Sequence, residues 1–218
     1  MKTRKMIFFA GIVVICCLIV VIAGIRIINE KKKEKRMSNI EVINQTSADR
    51  IYYDTLLRVE EDATIIVEGK IGKSLGQEVS APYDYEFQKA LPGAGYTNIE
   101  VKVTKVHKGN VTVGDKITMS QNFYFWTYED NTEQLISSSA VKPLEKDETY
   151  LLFLKYSERR GTYIPVCDYQ GMYPLEETQE KASVKNIEQK DLSHIYQVVE
   201  WKGLMPVYEE VRDKYFKD

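Results

Sequence analysis

From Asn98 the chain alternates with a period of two. Ile99, Val101 and Val103 are apolar, while Glu100, Lys102 and Thr104 are polar, which predicts a strand with one face in a core. The alternation then slips by one residue, so that Val106 takes the apolar side where Lys105 is due. An extra residue of this kind predicts a β-bulge and a sharp bend, as closure of a sheet into a barrel requires. Turns are expected at Lys108–Asn110 and Gly114–Asp115, and the next strand at Lys116 to Phe125.

Other segments carry similar signatures. "ATIIVEGKI" (63–71) is β-branched and reads as a strand. Residues 72–97 hold four Gly and two Pro and read as a long loop or hairpin excursion. Upstream, "DRIYYDTLLRVEED" (49–62) places Ile51, Tyr52, Leu56 and Val59 on one helical stripe, predicting a short covering helix. In "NFYFWTYED" (122–130), Phe123 and Phe125 fall on one side of a strand and Tyr124, Trp126 and Tyr128 on the other. That second face reads either as core under a helix or as an exposed stacking platform for a sugar or apolar peptide. A polar loop is expected over 129–142.

"KPLEKDETYLLFLKY" (142–156) runs from a charged turn into five apolar residues, Tyr150 to Leu154. The run is too short to cross a membrane and lacks helical spacing, so it predicts a central strand buried on both faces. Tyr150, Leu152 and Leu154 would face the barrel interior, and Leu151 and Phe153 would lie under a covering helix such as 49–62 or 191–201. "GTYIPVCDYQGMYPL" (161–175) reads as a last strand, with Pro165 at an edge and Cys167 a small residue within it. In the tail, "DLSHIYQVVEW" (191–201) predicts a helix capped by Asp191 and ended by Gly203. Pro206 would open a second helix carrying Val207, Val211 and Tyr215.

The N-terminus changes the picture. An apolar run from Met6 to Ile25 lies between Lys5 and Arg26, long enough for a bilayer core of about 30 Å. The expected organisation is a basic n-region (1–5), a transmembrane signal-anchor helix (6–28), a basic and polar stalk (29–48), an OB-like barrel domain with a leading helix (49–175) and a helical tail (176–218). Cleavage near Ala23, within "VIAG", would instead give a secreted chain. "KKKEKR" at 31–36 opposes the positive-inside rule, but a basic n-region is the mark of an export signal, and the body is expected outside the cytoplasm, anchored by a single pass.

Charge and cysteine narrow the function. Residues 1–36 carry nine Lys or Arg and two Glu, leaving 21 basic and 30 acidic side chains in the remainder. An acidic body without a basic groove argues against nucleic acid. Cys16 and Cys17 lie in the apolar run, so Cys167 is alone in the body and has no body cysteine to pair with. His107 and His194, the two histidines, show no zinc-ligand spacing, and no metal or cofactor is expected. The acidic clusters Glu60–Asp62, Glu129–Asp130 and Asp147–Glu148 lack calcium-loop spacing. No nucleophile-elbow, SxxK, HExxH, P-loop or GxGxxG string occurs, and Cys167 with a histidine is the remaining nucleophile–base combination.

Taken in order, "EEDATIIVEGKI", "IEVKVTKVHKGNVTVGDKITM", "PLEKDETYLLFL" and "YIPVCDYQGMYPL" resemble the netrin-like or TIMP-like OB-fold modules of Gram-positive bacterial membrane-anchored surface proteins, over about residues 47–175. The resemblance implies a small, mainly β, antiparallel OB-like barrel. Animal inhibitors of this type chelate a protease zinc through an N-terminal cysteine; the body here begins with none, so that activity does not carry over. Asp147 stands where such modules often have glycine, and Asp enters the left-handed region more readily than most residues. The expected function is a membrane-tethered, non-enzymatic, extracytoplasmic binding module for a protein or cell-envelope ligand. Its candidate ligand-binding residues are Tyr124, Trp126 and Tyr128, beside the 72–97 loop. The alternative is a structural or assembly subunit that docks to another membrane protein through its C-terminal helices.

Overall fold

The computed structural model describes residues 42–44, 52–86, 88–137, 142–180, 188 and 201–217. In chain order the elements begin with β1 (Val42–Asn44), α1 (Leu56–Asp62), β2 (Ile65–Val79), β3 (Tyr83–Asp84), β4 (Lys89–Ala90) and β5 (Gly95–Lys108). There follow β6 (Lys116–Gln121), β7 (Phe123–Thr127), β8 (Glu133–Ser137), β9 (Thr149–Ser157) and β10 (Thr162–Pro165). A 3-10 turn (Asp168–Gly171), β11 (Met172–Pro174), α2 (Leu175–Glu180) and α3 (Trp201–Tyr215) complete the described elements.

Five strands close into a barrel. β2 pairs antiparallel with β5 and β9, β5 with β6, and β9 with β10; the ring shuts where β10 runs parallel to β6 at Tyr163 and Met119. Register shifts let the long strands coil. One extra residue on β5 falls between Val103 and Lys105 and another between Val106 and Lys108, opposite Glu68–Gly69 and Ile66–Val67, where the hydrophobic pattern slips. Ile99, Val101 and Val103 are buried on the barrel side.

β9 is the hub of the ring. Every residue from Tyr150 to Leu154 is 7% exposed or less. Leu152 and Leu154 stand opposite Val67 and Ile65 on β2, inside the barrel, since directly opposed residues share a face. Phe153 faces outward, with its ring 5.7 Å from that of Tyr173 and 5.6 Å from that of Tyr215 on α3. Ahead of the strand, Asp147 adopts φ 72°, the left-handed turn expected of it, and its N–H donates to the Ile71 carbonyl at 2.9 Å.

The N-terminal segments 1–5 and 6–28, with most of 29–48, lie outside the described residues, as do residues 191–200 of the helix expected over 191–201. No helix among the described residues is long and apolar enough to cross a membrane. Within the expected stalk, Val42–Asn44 forms a strand parallel to β8. The covering helix is shorter than its apolar stripe, starting at Leu56; Tyr52 precedes it and is 44% exposed. With seven residues α1 depends on its surroundings. The Glu210 carboxylate of α3 accepts from Leu56 N–H at 2.8 Å, and Lys108 Nζ donates to the carbonyls of Glu60 and Ala63, supplying partners at each end.

Several expected boundaries move. The long excursion narrows to 80–94, because β2 continues to Val79 and β5 starts at Gly95. Here polar residues pair as readily as apolar ones, since a bent two-stranded ribbon needs backbone partners more than a core face. Lys116 to Phe125 splits at Asn122 into β6 of the barrel and β7 of a second sheet, ordered β1-β8-β7. The expected polar loop over 129–142 contains β8, whose Leu135 and Ile136 are buried. The last strand breaks into β10 and β11, which succeed one another along the same edge of β9. Cys167 and Asp168, at φ 46° and 52°, make the bend between them, so Cys167 lies in a turn and not in a strand.

The ends expected at Gly203 and Pro206 do not occur, for both lie inside α3. A Cβ on Gly203 would sit 2.8 Å from a ring carbon of Tyr52, so the glycine permits close packing and does not stop the helix. Proline removes one i to i−4 bond, but Leu204, Val207, Tyr208 and Val211 are fully buried against the barrel, and tertiary packing prevails over propensity.

Candidate functional site

The aromatic face of β7 is only partly open. Tyr124 is 2% exposed, and its hydroxyl donates to the Gly93 carbonyl at 2.5 Å. Burial, with Tyr128 nearby, raises the Tyr124 hydroxyl pKa. A Cβ on Gly95 would lie 2.6 Å from the Tyr124 ring; only glycine lets the neck of the excursion close on that ring. Trp126 and Tyr128 are half-buried. On the other side of the strand, the Phe123 and Phe125 rings meet edge to face at 6.2 Å. The free edge of β7 is tied to the barrel by side chains. Gln77 donates to the Phe125 carbonyl at 2.9 Å and accepts from its N–H at 3.0 Å, while Thr97 Oγ1 donates to the Phe123 carbonyl at 2.7 Å. Tyr124 is thus a post behind the excursion, and Trp126 and Tyr128 keep partial access.

At the neck of the excursion lies a cleft of about 560 Å³, lined by Glu78, Val79, Ser80, Ala94, Gly95, Tyr96, Asn122, Arg159 and Arg160. Two connections form it: the neck of the 80–94 excursion and the tight turn between β9 and β10. That turn closes with Gly161 at φ 64° and with both Arg160 and Gly161 N–H donating to the Ser157 carbonyl, which fixes the two arginines at the rim.

The Arg160 guanidinium carbon lies 4.2 Å from the centroid of the Tyr96 ring, a cation–π contact. Its Nη1 is buried without a hydrogen-bond partner among the described residues. Burial lowers the Arg160 pKa, opposed by Tyr96 and Asp168. The neighbouring carboxylates take neutral donors: Tyr96 OH donates to Glu78 Oε2 at 2.5 Å and Asn122 Nδ2 to Asp168 Oδ1 at 2.8 Å. The bond to Glu78 is the main cause of the raised Tyr96 hydroxyl pKa.

Sequence reasoning missed Tyr96, Asn122, Arg159 and Arg160. The available signal was "ERRG" (158–161), a doubly basic turn between two strong strands. The structure does not bring this turn into contact with Trp126 through any hydrogen bond or ring contact among the described residues.

The other ionisable groups serve packing. Glu68 accepts from His107 Nε2 and pairs with Lys105, each at 3.0 Å, and the His107 ring meets that of Tyr215 edge to face at 5.1 Å. Glu60 accepts from Lys214 at 2.7 Å and from Tyr215 OH at 2.6 Å. Burial, reinforced by Asp62 and Asp168, pushes the Cys167 thiol up to about 12, the reverse of what a nucleophile needs. Among the described residues no group of three or more His, Cys, Asp or Glu is placed to hold a metal ion. Comparison with models of protein families and with curated proteins finds no match to this chain.

Proposed function

We propose that this chain is a membrane-tethered, non-enzymatic binding module displayed outside the cytoplasm, built on an OB-like barrel of the netrin-like kind, and that its ligand site is the Arg160–Tyr96 cleft. The strand order supports the OB-like reading: a meander of β2, β5 and β6, then β9 returning to β2 and β10 closing parallel to β6. In such barrels the loops joining the first two and the last two strands flank the ligand. Here those loops are 80–94 and 158–161, a correspondence that is fold-level analogy. The observation that carries the site is chemical: a guanidinium held against the Tyr96 ring lines a concave cleft beside a second arginine, where polar groups converge on a ligand. Trp126 and Tyr128 remain candidate contacts for a larger ligand. Docking of another membrane protein through the C-terminal helices draws no support from α3, whose apolar face is spent on the barrel.

Two measurements test this. Protease treatment of intact cells should digest the body; protection of the body refutes the external placement. Retention of the full chain on cell-envelope material should fall in Arg160→Gln. Unchanged retention in a folded Arg160→Gln protein refutes the cleft as the ligand site, and loss in Trp126→Ala alone returns the site to the aromatic face.

A further inference from the structure

The cleft selects for a particular charge and shape. Arginine presents a planar fork of donors that matches a carboxylate in two parallel hydrogen bonds. Tyr96 contributes the flat surface against which the Arg160 guanidinium lies, 4.2 Å from its ring centroid, so the fork is oriented before a ligand arrives. Glu78 and Asp168 keep their charge while accepting from Tyr96 and Asn122 respectively, and each acts on Arg160 through space. A like charge nearby disfavours each added negative charge on an occupant. A singly charged, planar oxyanion therefore fits better than a doubly charged phosphate. A volume of about 560 Å³ leaves room for several further atoms, and Val79, Ala94 and Gly95 give them an uncharged wall.

We propose that this cleft binds the carboxylate group of an organic ligand, with Arg160 taking the carboxylate, Tyr96 orienting the guanidinium and Arg159 drawing the anion to the rim. The proposal rests on the reading of the cleft as the ligand site and names what it takes. Such a carboxylate comes either from a peptide C-terminus or from a uronic acid of a polysaccharide.

The test uses the isotope-labelled full chain in detergent micelles, following the backbone amides of Tyr96, Asn122 and Gly161 during titration. The probes are N-acetylglycine and its amide, glucuronate and glucose, and inorganic phosphate. N-acetylglycine or glucuronate should shift these amides saturably, the tighter of the two identifying the source. The matching neutral probe should bind at least about tenfold more weakly, the loss expected for one charge-assisted hydrogen bond. Arg160→Gln should abolish the shifts while leaving the remaining spectrum dispersed, Arg160→Lys should retain them weakly, and Arg159→Gln should weaken binding without abolishing it. Neutral probes binding as tightly, or phosphate binding more tightly, overturns the carboxylate assignment and leaves the cleft as a ligand site. Absence of any shift with either carboxylate also overturns the assignment, and unchanged envelope retention of Arg160→Gln then removes the cleft with it.

Discussion

Replacing Gln170 with alanine should destabilise the domain far more than its place in a four-residue turn suggests. The side chain is fully buried, and its carboxamide oxygen and both of its N–H groups are engaged. Oε1 accepts from Tyr53 N–H at 2.8 Å, and Nε2 donates to the Tyr53 carbonyl and to the Gly203 carbonyl, each at 2.7 Å. It thereby joins the approach to α1, the turn after β10, and α3. Three bonds at a net value of about 1 kcal/mol each give a loss of about 3 kcal/mol. For a domain of this size that corresponds to a fall in Tm of about 6–12 °C, measurable by calorimetry or near-UV circular dichroism. Gln170→Glu provides the companion measurement. A carboxylate there faces two carbonyl oxygens in a buried site, so its folded pKa rises above the ordinary value of about 4.3. Stability is then nearest the parent at pH below that value and declines as pH rises through it, levelling off above the folded pKa. An alanine variant within about 0.5 kcal/mol of the parent, the range of an ordinary surface change, would refute the clamp. So would a Glu variant whose stability, relative to the parent, does not fall with rising pH.

Other substitutions probe other parts of the molecule. Asp147→Gly should leave stability unchanged or raise it slightly in urea titration, whereas Asp147→Val should cost about 1–2 kcal/mol, because φ 72° strains a β-branched residue; the Lys70–Asp147 pair, exposed and 3.6 Å apart, adds little. Gly95→Ala should cost about 1–3 kcal/mol by overpacking, since the new Cβ would lie 2.6 Å from the Tyr124 ring, and near-ultraviolet dichroism should register the displaced tyrosine. Cys167, its thiol pushed up to about 12 by burial, should alkylate in the folded protein at a rate that still climbs above the ordinary thiol pKa of about 8.5; a plateau there would contradict the burial. Because the thiolate is disfavoured in the fold, this group's contribution to stability is full below that ordinary value and is lost as pH rises towards 12.

Where one face of a strand is buried, the pattern of residues was enough to find it. The slip at Val106 marked the bulged bend of β5, and the unbroken apolar run from Tyr150 marked a strand covered on both sides. Polar strands were harder: the second half of β2, "GKSLGQEV" (72–79), earns its pairing from backbone bonds to β5 and leaves no periodic trace. The breaks at Asn122 and Cys167 were illegible because non-glycine residues make them, under tertiary constraint. Gly203 and Pro206 misled for a related reason, since local propensity is weak against the buried face of α3. The candidate site was harder still. Tyr96 stands far in sequence from Arg159 and Arg160 and meets them only when the ring brings the β9–β10 turn to the start of β5, whereas Tyr124, conspicuous in its aromatic run, turns out to be held against Gly93.

The position of β10 in the ring also makes closure of the barrel depend on the last of its strands in sequence. Its four residues, Thr162–Pro165, pair with both β9 and β6, so until they are available β6 and β9 each present an unpaired edge, the kind of edge that invites association between chains. β2 waits nearly as long for its second neighbour, since Ile65 pairs with Leu154, and the clamp between Tyr53 and Gln170 spans 117 positions. The β2–β5–β6 meander can pair without the later strands, but the ring cannot shut until they arrive, and slow closure is expected of contacts so distant in sequence. Chain termination or stalling before residue 162 would leave no barrel at all, and the doubly basic turn at Arg159–Arg160, made just before the closing strand, acquires its geometry only in that final step.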